Sequence, residues 1–138
     1  MIQRIQSIWL LLAALLSFAG FRYPFYTGTK TLENGTVEKV IIDGGYNLFI
    51  MLLSGFLILF SVAVIFFYRD RKFQLKLGIA GIILSLLLIF LYFNAGSKID
   101  GTLSLWSIFT FGIPVCYVLA ARGIWKDEQV VKSLDRLR

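Results

Sequence analysis

The chain has 138 residues, 58% of them hydrophobic and only 16% charged, with 14 basic and 8 acidic residues and a net charge of +6. A soluble domain carries roughly 45–50% apolar and about 25% charged residues, so this composition excludes an ordinary water-soluble fold. Histidine is absent and Cys116 is the single cysteine, which excludes histidine-based catalysis, histidine metal sites and any intrachain disulfide.

In chain order, four stretches lack Asp, Glu, Lys and Arg: 5–21, 44–68, 77–97 and 101–121. A helix needs about 20 apolar residues to cross a hydrocarbon core roughly 30 Å thick, and a helix satisfies its own backbone hydrogen bonds there. The expected fold class is therefore an all-α membrane protein. It is a single domain, 1–138, built as a four-transmembrane-helix bundle with spans at about 3–21, 45–68, 75–95 and 103–122. The first span also reads as a cleavable secretory signal, with Ser17-Phe18-Ala19 as a small-residue cleavage site. The apolar run starts almost at Met1 and the sequence past Ala19 is not polar, which favours a retained span.

Between spans one and two lies the only sizeable loop, 22–44. Its segment KTLENGTVEKVII sets Asn34-Gly35 between two strand-like runs. Asn-Gly predicts a two-residue type I′ hairpin over about 29–42, because both turn residues need positive φ, with Leu32 facing Val37. The turn explains Asn34 and Gly35, so the sequon Asn34-Gly35-Thr36 reads as accidental. The next loop holds Arg69, Arg71, Lys72 and Lys76 against the acid Asp70, a basic cluster suited to a membrane surface. Span three carries Gly78, Gly81 and Ser85 along one side, and span one carries Ala13 and Ser17, small-residue faces that let helices approach closely. The loop around NAGSKIDG is predicted to be a short turn. In span four Pro114 removes a backbone donor and predicts a kink.

Gly123 predicts a stop for span four, and Asp127 predicts the cap of a separate helix in a tail over 123–138. Val130, Val131, Leu134 and Leu137 then share one arc, the apolar stripe of an amphipathic helix. Glu128 with Lys132 and Asp135 with Arg138 stand at supportive spacings. This tail reads either as a helix that lies on the membrane surface or as a docking surface for a protein partner, with Asp135 beside the stripe.

Counting basic residues orients the chain. Arg4, Arg69, Arg71, Lys72, Lys76, Arg122, Lys126, Lys132, Arg136 and Arg138 fall on one side, against Arg22, Lys30, Lys39 and Lys98 on the other. The positive-inside rule makes the first side cytoplasmic, giving both termini in, and no nucleic-acid partner is implied. Tyr23, Tyr26, Tyr46, Tyr92 and Trp106 fall near the outer boundary, and Trp9, Tyr68 and Trp125 near the inner one, as interfacial aromatic belts do.

No ionisable group is placed well inside a span, where such a group would suggest transport or proton relay. Ser17, Asn47, Ser54, Ser61, Ser85, Ser107 and Thr110 are the buried polar candidates, expected to bond their own helices or a neighbour. Small four-span drug exporters carry an acid in their first span, where this chain has only Gln6. Four-helix thiol oxidoreductases need cysteine pairs. No catalytic, cofactor or metal residue is assigned.

The opening MIQRIQSIWLLLA and the closing KDEQVVKSLDRLR together resemble a small bacterial family of four-span membrane proteins catalogued only as a domain of unknown function. The resemblance implies a multi-pass protein of the bacterial inner membrane. It supplies no catalytic residues and draws attention to Gln3, Arg4, Asp127, Ser133, Asp135, Arg136 and Arg138. The expected role is a non-enzymatic accessory subunit or scaffold. Its expected partners are anionic lipids and a protein at the cytoplasmic face, and its oligomeric state is open. The alternative is a carrier for a lipid or small apolar molecule between the helices.

Overall fold

A computed structural model describes residues 2–137; Arg138 and the side chains of Gln3 and Arg4 lie outside the described part. The elements are α1 (Ile2–Arg22), β1 (Tyr26–Thr31), β2 (Val37–Ile42), α2 (Leu48–Phe66), α3 (Arg71–Gly96), β3 (Asp100–Leu103) and α4 (Ser107–Arg136). All four helices are long and apolar enough to cross a membrane. Each of α1 and α3 packs against both α2 and α4, so consecutive helices are neighbours around a ring.

The buried residues explain why these helices form a bundle. In α2 they are Ile50, Ser54, Leu57, Ser61 and Val64. In α3 they run Gln74, Gly78, Gly81, Ser85, Leu88, Tyr92 and Ala95. Steps of alternating four and three residues average 3.5, the repeat that keeps one seam facing its partners in a left-handed supercoil. The seams are rich in Ser, Gly and Ala, whereas Phe49, Leu59, Phe66, Ile83 and Phe90 point outward and are well exposed. A soluble bundle hides its large apolar side chains; helices bathed in lipid gain nothing by doing so and pack through small residues.

Tyr117 of α4 is fully buried near the bundle axis. A Cβ at Gly81 would lie 2.3 Å from the Tyr117 ring, so Gly81 supplies the space that the ring fills. Its hydroxyl donates across the bundle to Ser61 Oγ at 2.5 Å, because the Ser61 hydroxyl hydrogen is committed to the Leu57 carbonyl. Three other buried serine hydroxyls follow the same local rule. Ser17 donates to Ala13 O, Ser54 to Ile50 O and Ser85 to Ile82 O. Asn47 departs from the expectation: it is exposed at the start of α2 and makes no side-chain cap bond.

One end of the bundle is closed by a three-stranded antiparallel sheet of order β2-β1-β3. The hairpin forms, but with a different turn and a register one residue off: Thr31, not Leu32, pairs with Val37. Among the described residues Gly35 alone has positive φ, at 77°, and Asn34 does not. Gly35 N donates to Leu32 O and Leu32 N to Thr36 O. This is the three-residue loop in which a type I turn is followed by a left-handed glycine, so Asn34 never needs the strained conformation a type I′ turn would impose. The NAGSKIDG segment is not merely a turn, because its last residues enter β3 and pair with β1. The sheet is pinned to the helices by Phe25, stacked on Tyr92 with centroids 4.6 Å apart, and by the buried Ile42. Tyr92 is therefore a core residue and not part of an interfacial belt.

Candidate functional site

The opposite end carries the basic cluster and the C-terminal segment. Here α2 and α3 are joined by the short turn 67–70, and Arg71, Lys72 and Lys76 ride on the opening turns of α3 itself instead of a loop. Phe67 N donates to Val64 O, Gln74 N to Asp70 O, and the buried Gln74 side chain to Val64 O at 3.3 Å. The last of these ties the first turn of α3 to the last turn of α2, and the other two close the two helix ends.

The expected break near Gly123 is absent. Helix α4 runs without interruption from Ser107 to Arg136, with Pro114 inside it. Gly123 marks a close contact instead, since a Cβ there would lie 3.0 Å from Gln6 Cγ. Asp127 is not a cap. It is 6% exposed and its Oδ2 accepts a 2.7 Å hydrogen bond from Gln6 Nε2. The buried seam of α4 passes through Tyr117, Ala120 and Ile124 to Asp127, one turn beyond the last apolar member. A carboxylate held by one amide donor at a bundle end keeps a route to water for its remaining lone pairs, which lowers the cost of placing it there.

Beyond Asp127 the helix leaves the bundle. Val130, Val131, Leu134 and Leu137 are all exposed, Leu134 at 58% and Leu137 at 85%. The stripe exists as an unpartnered helical face on the same helix that forms span four. Glu128 and Lys132 make the i,i+4 ion pair at 3.2 Å. Val131 and Asp135 turn toward Arg69, Arg71 and Lys72, and these side chains share a groove of about 380 Å³. The structure thus brings together three of the four basic residues with two of the tail positions. Lys76 sits one turn further along α3, outside the groove, and Gly78, Gly81 and Ser85 lie deeper, where Gly78 faces Ala121 and Gly81 faces Tyr117. Among the described residues no group of three or more His, Cys, Asp or Glu is placed to hold a metal ion.

Sequence reasoning missed Gln6 and Asp127 as partners. The available signal was the seam period of span four, which continues past Arg122 and reaches position 127. Residues 2–137 match the family described as Domain of unknown function (DUF4293). No curated protein and no solved structure matches the chain.

Proposed function

The chain belongs to the DUF4293 family, and from that premise we propose that it is a multi-pass protein of the bacterial inner membrane that serves as a non-enzymatic accessory subunit or scaffold. In this reading both ends and the 67–70 turn face the cytoplasm, following the excess of basic residues at that end. The exposed end of α4 is the docking arm. The observation that carries the reading is the unbroken α4 with its apolar face uncovered after Asp127.

The argument is one of length. A 30-residue helix is about 45 Å long, whereas the hydrocarbon core is roughly 30 Å thick. The surplus leaves the lipid along the helix axis, and a helix continuous with a span cannot also lie flat in the headgroup plane. The bilayer with its headgroups is about 40–45 Å thick, so Val130, Leu134 and Leu137 stand among headgroups and water, outside the hydrocarbon, unless a protein covers them. An exposed apolar stripe of this kind suits a groove-and-helix contact. A carrier role for the bundle finds less support, because its axis is filled by Leu10, Leu57 and Tyr117, all fully buried.

Two experiments test this. In cells permeable only to the periplasm, a cysteine replacing Asn34 is expected to react with an impermeant thiol reagent and one replacing Ser133 to stay unlabelled; the reverse pattern overturns the orientation. Affinity purification of the tagged full chain from native membranes, with crosslinking, is expected to recover a reproducible partner linked to residues 130–137. Recovery unchanged by Leu134→Asp overturns the docking arm.

A further inference from the structure

The groove between the α2–α3 turn and the end of α4 has a basic wall that neither the docking arm nor the bundle packing uses. Lys132 is paired with Glu128. That leaves Arg69, Arg71 and Lys72 facing Asp70 and Asp135, a surplus of one positive charge, with Val131 on the wall. It is an open surface groove of about 380 Å³. The turn beside the basic residues is fixed by the Gln74 side chain, which donates to Val64 O of α2, and by the Gln74 N–H, which donates to Asp70 O. It is bracketed by Phe67 and Phe73, an edge-on ring pair 5.2 Å apart, and by Tyr68, all three substantially exposed. The site therefore joins a charged recess to an apolar outer surface at the bundle rim.

We propose that this groove binds the headgroup of one anionic glycerophospholipid whose phosphodiester is followed by a hydroxyl-bearing group, of the phosphatidylglycerol kind. A phosphodiester carries a single negative charge, which the surplus positive charge matches. Arg69, Arg71 and Lys72 supply charge-assisted donors for its oxygens. Asp70 and Asp135 accept from the hydroxyls, which a bare phosphate lacks. The acyl chains leave along Phe67 and Phe73. A zwitterionic headgroup would leave the surplus charge uncompensated. The inference rests on the membrane reading above, but not on the orientation or on the docking arm.

The test uses the full chain reconstituted in vesicles of phosphatidylglycerol and phosphatidylethanolamine in equal parts. Flotation establishes insertion, and native mass spectrometry after transfer to mild detergent reads the lipid retained. The expected result is retention of phosphatidylglycerol over phosphatidylethanolamine. The double variant Arg71→Ala/Lys72→Ala should float normally but lose that retention by about thirty-fold, from the attraction of two basic residues at a lipid surface. Lys30→Ala/Lys39→Ala, at the sheet end, should retain it. Equal retention of both lipids, or full retention by the Arg71/Lys72 variant, overturns the site. Displacement of the lipid by inorganic phosphate overturns a lipid as its occupant. Failure of the unaltered chain to float overturns the membrane reading and the site with it.

Discussion

The two ends of this molecule solve the same problem in opposite ways. At the sheet end the backbone covers itself: three strands pair with one another, Phe25 and Ile42 seal the helices, and Tyr23 stacks on Trp106 with centroids 4.6 Å apart, although Val37, Leu103 and Leu105 stay exposed. At the charged end little is covered. A helix runs on past the bundle with its apolar side chains bare, and the buried hydrogen bond from Gln6 to Asp127 marks where coverage of α4 stops. The lesson is that an end whose strands satisfy one another's backbone is built for stability, whereas an end that leaves a regular apolar helical face unpartnered is built to meet something.

If this contrast is right, substitutions at the sheet end should cost stability and those at the end of α4 should cost association. The largest effect is expected at Gly28. A Cβ there would sit 2.5 Å from Gly101 Cα, a backbone atom that cannot give way, so Gly28→Val should separate β3 from β1 and destabilise by about 3 kcal/mol, read as a lower thermal midpoint in detergent. Next comes the boundary between the two regimes. Asp127→Ala removes the acceptor of the buried Gln6 amide and should cost about 2 kcal/mol, with faster hydrogen exchange from residue 124 onward while the sheet amides keep their protection.

Gly35→Val forces a β-branched side chain into the left-handed conformation at φ 77° and should cost about 1–2 kcal/mol, seen as protease sensitivity of the hairpin tip without loss of helix. The smallest effect on stability belongs to Leu134→Asp. Leu134 is exposed, so the change should stay within about 0.5 kcal/mol while partner recovery falls. A large loss of stability at Leu134, or a negligible one at Gly28, would erase the distinction between the two ends.

The sequence made some of this legible and hid the rest for physical reasons. Four apolar stretches announce four helices, because composition alone decides what a long uncharged run can do. The hairpin was legible from Asn34-Gly35, but its register was not. Two turn types share that dipeptide, and they differ by one residue in where pairing begins. Strand β3 could not be read locally, since Asp100–Leu103 is extended only because it meets β1, far away in the chain. The end of the fourth helix was misplaced because glycine serves two purposes. At Gly123 it permits the approach of Gln6 and does not end the helix. Once the helix continues, Asp127 falls on the buried seam, and the pairing with Gln6 follows from two antiparallel helices that meet at their ends. The basic cluster was visible as composition, but its meeting with Val131 and Asp135 required knowing that α4 does not bend away.

The central claim is that Val130, Leu134 and Leu137, which lie outside the groove, are left uncovered by lipid as well as by protein, on a helix that continues along the axis of α4 and does not lie flat. It is tested most directly by spin labels placed singly at 130–137 in the reconstituted chain, with collision rates measured against an aqueous nickel chelate and against oxygen, in the absence of any partner. The expected result is that labels at Leu134 and Leu137 meet the aqueous reagent as readily as one at Lys132. A periodic pattern in which Val130, Leu134 and Leu137 favour oxygen while Lys132 and Arg136 favour the chelate would place this segment flat on the membrane and contradict the account.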